Sequence, residues 1–402
     1  MSTPKIIIVG GNFAGLTGAL ELRRLLGDDV EITLISKDDR FVFVPSLIWV
    51  PFGWRTPDDI SFSLAPVLER AKIHFVHAPA TRIDPHQKTV HTPLGSYSYD
   101  YLLIATGPYP QYEIVPGLGP EGYTYSICTI EHALHAHEGW KQLVDDPGPV
   151  VIGATQGASC FGAAYEFLFN FAHALRKARL TKRVPITFIT AEPFCGHFGI
   201  GGLKGGRQML EFFLKKLGIR WLTNVGVKEI VPTEVHLLDG QILPFKFAMI
   251  IPPFLGVEAI RNSPGLGNEK GFIPVKPTYQ HQNFSDIYAA GVAVAVNVPW
   301  QTPLSVGVPK TGYPAETMAK IAAHNIAAQI KGKLPQEEKE FGEIPALCVM
   351  DAGNMGVLIL SDKMLPPRKF ELLIPGPQAH WAKVAFEKYY LWKMQHGLVQ
   401  LP

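Results

Sequence analysis

Two stretches of this chain, KIIIVGGNFAG (5–15) and PVVIGATQGASCFGAAYEF (149–167), each run from an apolar strand through a glycine-rich turn into an apolar helix. That order opens a βαβ dinucleotide-binding unit, because the turn lets backbone N–H groups at a helix start approach a diphosphate. A chain that carries it twice is predicted to be α/β, with two Rossmann-like dinucleotide-binding domains. Its 402 residues leave room for two or three complete cores.

In the first unit Gly10 and Gly15 take the first and third glycine positions, and Asn12 replaces the middle one. Asn tolerates left-handed backbone, so the turn can form, although its side chain crowds the diphosphate approach. The acid expected after the second strand, Glu31–Ser36, is missing; Ser36 and Lys37 stand there, and Ser36 can hydrogen-bond a ribose hydroxyl. Alone, this turn is either an FAD site or an ordinary βαβ unit. YLLIATG (101–107) and DIYAAGVAV (286–294) supply two more strands ending in small-residue turns, in the order in which an FAD protein returns to its cofactor. Together they predict an FAD cradle of Gly10, Asn12, Phe13, Ala14, Gly15, Ser36, Lys37, Ala80, Thr106, Gly107, Gly291, Val292, Lys310 and Gly312. The FAD domain is then discontinuous, 1–110 and 272–335, with 111–271 as the second domain and 336–402 as a separate C-terminal region.

The second unit departs from a nicotinamide site. Thr155 and Gln156 occupy its turn, while Glu192, ending the strand 187–192, could face a nicotinamide ribose. The unit is read as a nucleotide fold kept as scaffold. Cys160 falls where its helix opens, and orphan N–H groups there favour thiolate. The other cysteines are Cys128, Cys195 and Cys348. Each is either a buried filler or a reactive thiol; Cys195 is read as filler. No CxxC pair and no Cys/His cluster exists, so no metal is expected.

A formal net charge of +2 gives no electrostatic reason to bind nucleic acid. Met1–Lys5 leads straight into a strand, so no signal peptide is expected. No apolar run of about 18 residues suits a membrane span. Val308–Ile330 is predicted to be helical from Gly312, with Lys310 before it either a surface lysine or a charge at the flavin's edge. A charged linker, 334–341, leads to a possible strand with Cys348 and then to QAHWAKVAFEKYYLWKMQH (378–396). On that helix Trp381, Ala385 and Trp392 share one face, Phe386, Tyr389 and Tyr390 cover the next, and Lys383 with Glu387 forms a narrow polar strip. It is either a core helix or one with protein on one side and lipid headgroups on the other.

Across nearly its whole length the chain resembles the sulfide:quinone oxidoreductases, flavoproteins of the disulfide oxidoreductase-like superfamily. The resemblance rests on YSICTIEHA (125–133), GASCFGAAYEF (157–167), EPFCGHFGIGG (192–202), GVAVAV (291–296), PKTGY (309–313), ALCVMDAG (346–353) and HWAKVAFEKYY (380–390). It implies oxidation of hydrogen sulfide through a sulfur bridge between Cys160 and Cys348, with electrons passing to FAD and then to a membrane quinone. Cys128 would either link covalently to the flavin or carry product sulfur. Glu166, His132 and His197 would handle protons, and Lys310 would sit near flavin and quinone. The quinone ring would stack on Phe386 with Leu347 opposite. The expected setting is peripheral, monotopic attachment to a membrane through the C-terminal helix, as a homo-oligomer. The rivals are a type II NADH:quinone oxidoreductase, which would need an intact turn at 153–158 and no placed cysteines, and the flavoprotein subunit of a flavocytochrome c sulfide dehydrogenase. A flavin-binding redox sensor without turnover is the alternative from another class.

Overall fold

The computed structural model describes residues 3–401. Lys5–Val9 lies at the centre of a five-stranded parallel sheet in the order Ile287–Ala289, Tyr101–Ile104, Lys5–Val9, Glu31–Ser36, His74–His77. Its residues are almost all apolar because helices cover both faces of such a sheet. The helix Phe13–Leu26 is buried over nearly all its length, packed between the sheet and the helix Gly312–Ile330. Close approach is what the small residues permit: a Cβ at Gly18 would meet Leu103 Cδ2 at 2.3 Å and Ala319 Cβ at 3.9 Å.

A second parallel sheet runs Arg220–Leu222, Ile186–Thr190, Val150–Ala154, Phe247–Ile251. Val150–Ala154 and Phe247–Ile251 are buried at every position. The helix Phe161–Lys177 follows this sheet's central strand, with Phe161, Phe167 and Phe171 fully buried.

The C-terminal region is a three-stranded antiparallel sheet, Ala346–Asp351, Gly356–Ser361 and Glu371–Gly376, closed by the helix Pro377–Gln395. Which face of that helix lies inside was left open by the sequence. Its polar strip, Lys383 and Glu387, is buried along with Ala379, Tyr390, Leu391 and Met394, while Trp381 is 67% exposed and Trp392 46%. The spacing 379, 383, 387, 390, 394 is a proper helical stripe, but it is charged and faces inward. Among the described residues no helix is long and apolar enough to cross a membrane.

Candidate active site

The first glycine turn is shaped to leave room for a diphosphate. Gly10 has φ +110°, and a Cβ there would sit 2.2 Å from Ala105 O. One at Gly15 would sit 1.9 Å from Gly10 O. These contacts press the turn onto the end of the Tyr101–Ile104 strand, beside Thr106 and Gly107. Asn12 is the helix N-cap, yet its side chain makes no capping bond, and its Oδ1 is buried without a partner, as is Thr106 Oγ1. Buried polar atoms are normally paired, so one orphan at the helix start and another just past the strand Tyr101–Ile104 fit a bound FAD. The buried Ser36 Oγ accepts only the Asp38 N–H, at 3.3 Å. Lys37 is exposed, and Ala80 is half-buried just beyond the neighbouring strand. Phe13 packs against Gly312, and Gly291 lies close to Ala14.

Lys310 is anchored by the backbone of the Gly291 turn. Its Nζ donates to Val292 O (2.8 Å) and Val294 O (2.6 Å) and lies 4.0 Å from the Phe272 ring centre. No carboxylate pairs with it among the described residues, and desolvation lowers its pKa from 10.5 to about 7. Between those values the unfolded chain binds the proton that the folded one lacks, so stability rises with pH there. Compared with Lys310→Met, the native apoprotein should gain stability as pH rises from about 7 toward about 10, measured by denaturant titration across that range.

The second turn is closed by its own chain. Gln156 clamps the backbone of Val227, accepting from its N–H and donating to its carbonyl, both at 2.9 Å. Thr155 N–H donates to Ile251 O and Gly157 N–H to Ser305 O, so two N–H groups of the turn are already bonded within the chain. Glu192 corrects the sequence reading: it is fully buried and faces inward, accepting from Thr190 Oγ1, Tyr165 O–H and Phe198 N–H at 2.6–2.8 Å. Burial raises its pKa to about 7.

Three cysteines from distant parts of the chain share one electrostatic neighbourhood. Cys160 is the N-cap of Phe161–Lys177, and its thiol is pushed up to about 11 by desolvation, then by the charge of Cys128, with Glu166 adding. The thiolate expected at this helix start is therefore not the resting form, because burial outweighs the backbone N–H of Ala163. Cys348 is exposed on Ala346–Asp351, yet its thiol is raised to about 12 by desolvation, Glu166 and Cys160 while Lys383 opposes. All four cysteines are free thiols. Cys195 is fully buried, beside Tyr165, and its thiol is raised to about 12.

Around Cys128, Ser126 Oγ accepts its backbone N–H at 3.2 Å and contacts Tyr112 O–H, which lies 3.4 Å from His132 Nδ1. Burial pushes the Cys128 thiol up and the His132 pKa down. His197 is not paired with any of these groups. Its ring lies edge-on to Phe194 and Trp300, and its buried Nδ1 has no partner.

Glu166 joins the cysteines to the C-terminal helix. Its Oε1 accepts the Asp351 N–H (2.7 Å) and Lys383 Nζ, and desolvation still leaves its pKa raised. Lys383 lies 4.9 Å from the Trp49 ring centre; Trp49 Nε1 donates to Asp351 Oδ2 (2.9 Å), and His380 Nδ1 meets Asp351 Oδ1 (2.7 Å). Farther along the helix, Glu387 accepts from Ser46 and Arg55 at 2.6–3.0 Å, and Lys393 donates to Glu316 (2.7 Å). Sequence reasoning missed Lys383, Asp351 and His380 as site groups. The available signal was a lysine and a glutamate four residues apart on an otherwise aromatic helix. Phe386 packs on Phe43 and Tyr390, half-exposed, and Leu347 is exposed beside Cys348.

Residues 4–317 match the pyridine nucleotide-disulphide oxidoreductase family. The chain is 39% identical over 400 residues to the sulfide-quinone reductase of Aquifex aeolicus, covering 98% of this chain and 91% of that protein. The crystal structure of the sulfide:quinone oxidoreductase from Aquifex aeolicus superposes with a TM-score of 0.94 at 38% identity, covering 98% of this chain and 92% of that one. The chain belongs to the sulfide-quinone reductases. FAD is the cofactor this membership implies, and the cradle around Gly10, Asn12 and Thr106 fits it. Type II NADH:quinone oxidoreductase of Staphylococcus haemolyticus is more distant, 27% identical over 72% of this chain and 64% of that protein. A sulfide-quinone reductase has no need of a nicotinamide turn, consistent with the clamp Gln156 places across it.

Proposed function

We propose that the chain oxidises sulfide at the Cys160–Cys348 pair and delivers the electrons to quinone at the C-terminal region. The observation that carries this is the convergence of Cys128, Cys160, Cys348 and Glu166 from distant parts of the chain, in a fold that also carries an FAD cradle and whose second turn Gln156 clamps. FAD, when bound, supplies the two-electron acceptor. Once the Cys160 and Cys348 thiols have been oxidised to a disulfide, their two electrons passing to the acceptor, hydrosulfide attacks that bridge and leaves a persulfide on one sulfur and a thiolate on the other. A thiol held up at about 12 is a poor leaving group, and Lys383, whose charge opposes that rise, stabilises the departing Cys348 thiolate. Glu166, its pKa raised by burial, takes the proton from incoming sulfide. Cys128 carries product sulfur or anchors the flavin covalently, and His132 serves it through Tyr112.

Quinone stacks on Phe386 with Leu347 opposite, near Lys310. Residues 1–110 with 272–335 hold FAD, 111–271 form the second domain, and 336–402 meet quinone and membrane. Anaerobic addition of sulfide should bleach the flavin, NADH should not, and a short-chain quinone should restore the colour. Bleaching by NADH alone would overturn the assignment.

The outer face of Pro377–Gln395 lies at the lipid surface, where Trp381 and Trp392 are exposed. Deleting the helix is a poor test, because it would strip Glu166, Arg55 and Glu316 of the ion-pair partners Lys383, Glu387 and Lys393. Trp381→Ala with Trp392→Ala removes only the outer rings. Vesicle affinity should fall about tenfold or more from the lost apolar area, measured by co-sedimentation, with sulfide bleaching unchanged. The chain acts there as a homo-oligomer, which light scattering in detergent would test.

A further inference from the structure

Beside the aromatic face of the last helix is a cleft of about 310 Å³ that the sulfur chemistry does not use. Trp49, Trp54 and Trp381 wall it, and Arg55 and Lys177 reach into it. The Arg55 guanidinium lies 4.6 Å from the Trp49 ring centre and the Lys177 ammonium 5.5 Å from that of Trp54. No Asp or Glu lines the cleft. The two nearest carboxylates, Asp351 and Glu387, are fully buried behind its wall and already bonded to Trp49, His380, Ser46 and Arg55. Lys177 has no carboxylate partner among the described residues.

We propose that this cleft binds the phosphate of an anionic phospholipid headgroup. Lys177 supplies the unbalanced charge that selects an oxyanion, and Arg55, whose charge Glu387 balances from behind the wall, adds guanidinium N–H donors. A free phosphate would use the cations but not the indole walls. A phosphodiester with its glycerol uses both, since tryptophan presents an apolar body with one N–H donor and settles at the headgroup level. The exposed Trp381 is both a wall of the cleft and part of the outer stripe of the helix, so a lipid held there stays continuous with the bilayer. The proposal rests on the reading that this stripe faces lipid.

The test uses the full-length flavoprotein with vesicles of phosphatidylcholine alone and of phosphatidylcholine with phosphatidylglycerol. Phosphatidylglycerol should tighten binding. Lys177→Gln should weaken the affinity for the mixed vesicles about fivefold, as one lysine at a charged surface is worth, and leave the phosphatidylcholine value unchanged. Lys182→Gln, an exposed lysine outside the cleft, should change neither. Equal losses in the two variants would reduce the effect to general surface charge and overturn the site; no loss in Lys177→Gln would overturn it too. Thermal stabilisation by inorganic phosphate that depends on Lys177, without a phosphatidylglycerol effect, would reassign the source to free phosphate. Failure to bind either vesicle would sink the surface reading itself.

Discussion

Cys348→Ala should retain FAD and its colour and lose sulfide-driven bleaching by at least about a thousandfold, as expected when a covalent relay loses one member. Cys348 is exposed on its strand, so truncation costs little packing and folding should be unaffected. Stopped-flow mixing with sulfide under anaerobic conditions measures the rate. Cys195→Ala is the matched control: that thiol is buried among Tyr165, Glu192 and Arg207, not with the other cysteines, and its loss should slow nothing. Native bleaching by Cys348→Ala would remove the cysteine pair from the mechanism.

The second large effect concerns a residue that the resemblance did not single out. Lys383→Met leaves Glu166 buried without its cation, and removal of one member of a buried pair costs about 3–5 kcal/mol. Chemical denaturation of the flavoprotein should show that loss. The carboxyl then rises further above its ordinary value, because burial remains and the lysine's opposing charge is gone. A raised acid binds its proton in the folded state at pH values where the unfolded chain has released it. Stability of the variant should therefore fall as pH increases above the ordinary glutamate range. Adding Glu166→Gln should recover most of the stability but not the sulfide rate. If Lys383→Met is as stable as the native chain at every pH, the pair is not the support described here.

The fold was legible where backbone sterics dictate residue type. Gly10 and Gly15 mark positions no Cβ can occupy, and strands such as Ile6–Val9 can only be central in a parallel sheet. Cys160 stood out by its place at the second glycine turn, while Cys128 and Cys348 entered only through the resemblance of their segments. Periodicity failed at the last helix: it locates a stripe but cannot say which stripe is inside when buried ion pairs replace apolar contacts. Lys383, Glu387 and Lys393 look like a solvent face until Glu166, Arg55 and Glu316, from elsewhere in the chain, are brought opposite them. Helix position also misled at Cys160, since the local dipole is read from sequence and the larger desolvation is not. Glu192 failed for the same reason: its partners Tyr165 and Phe198 are neighbours only in the fold.

The clamp between Gln156 and Val227 has a consequence for the cell's wiring. Flavoproteins that share this architecture stand between two electron reservoirs, one fed by carbon oxidation through pyridine nucleotides and one by inorganic sulfur. Under the proposed function, a single amide side chain hydrogen-bonded to one peptide unit would leave this molecule connected to only the second. Sulfide oxidation would then proceed at any nicotinamide ratio.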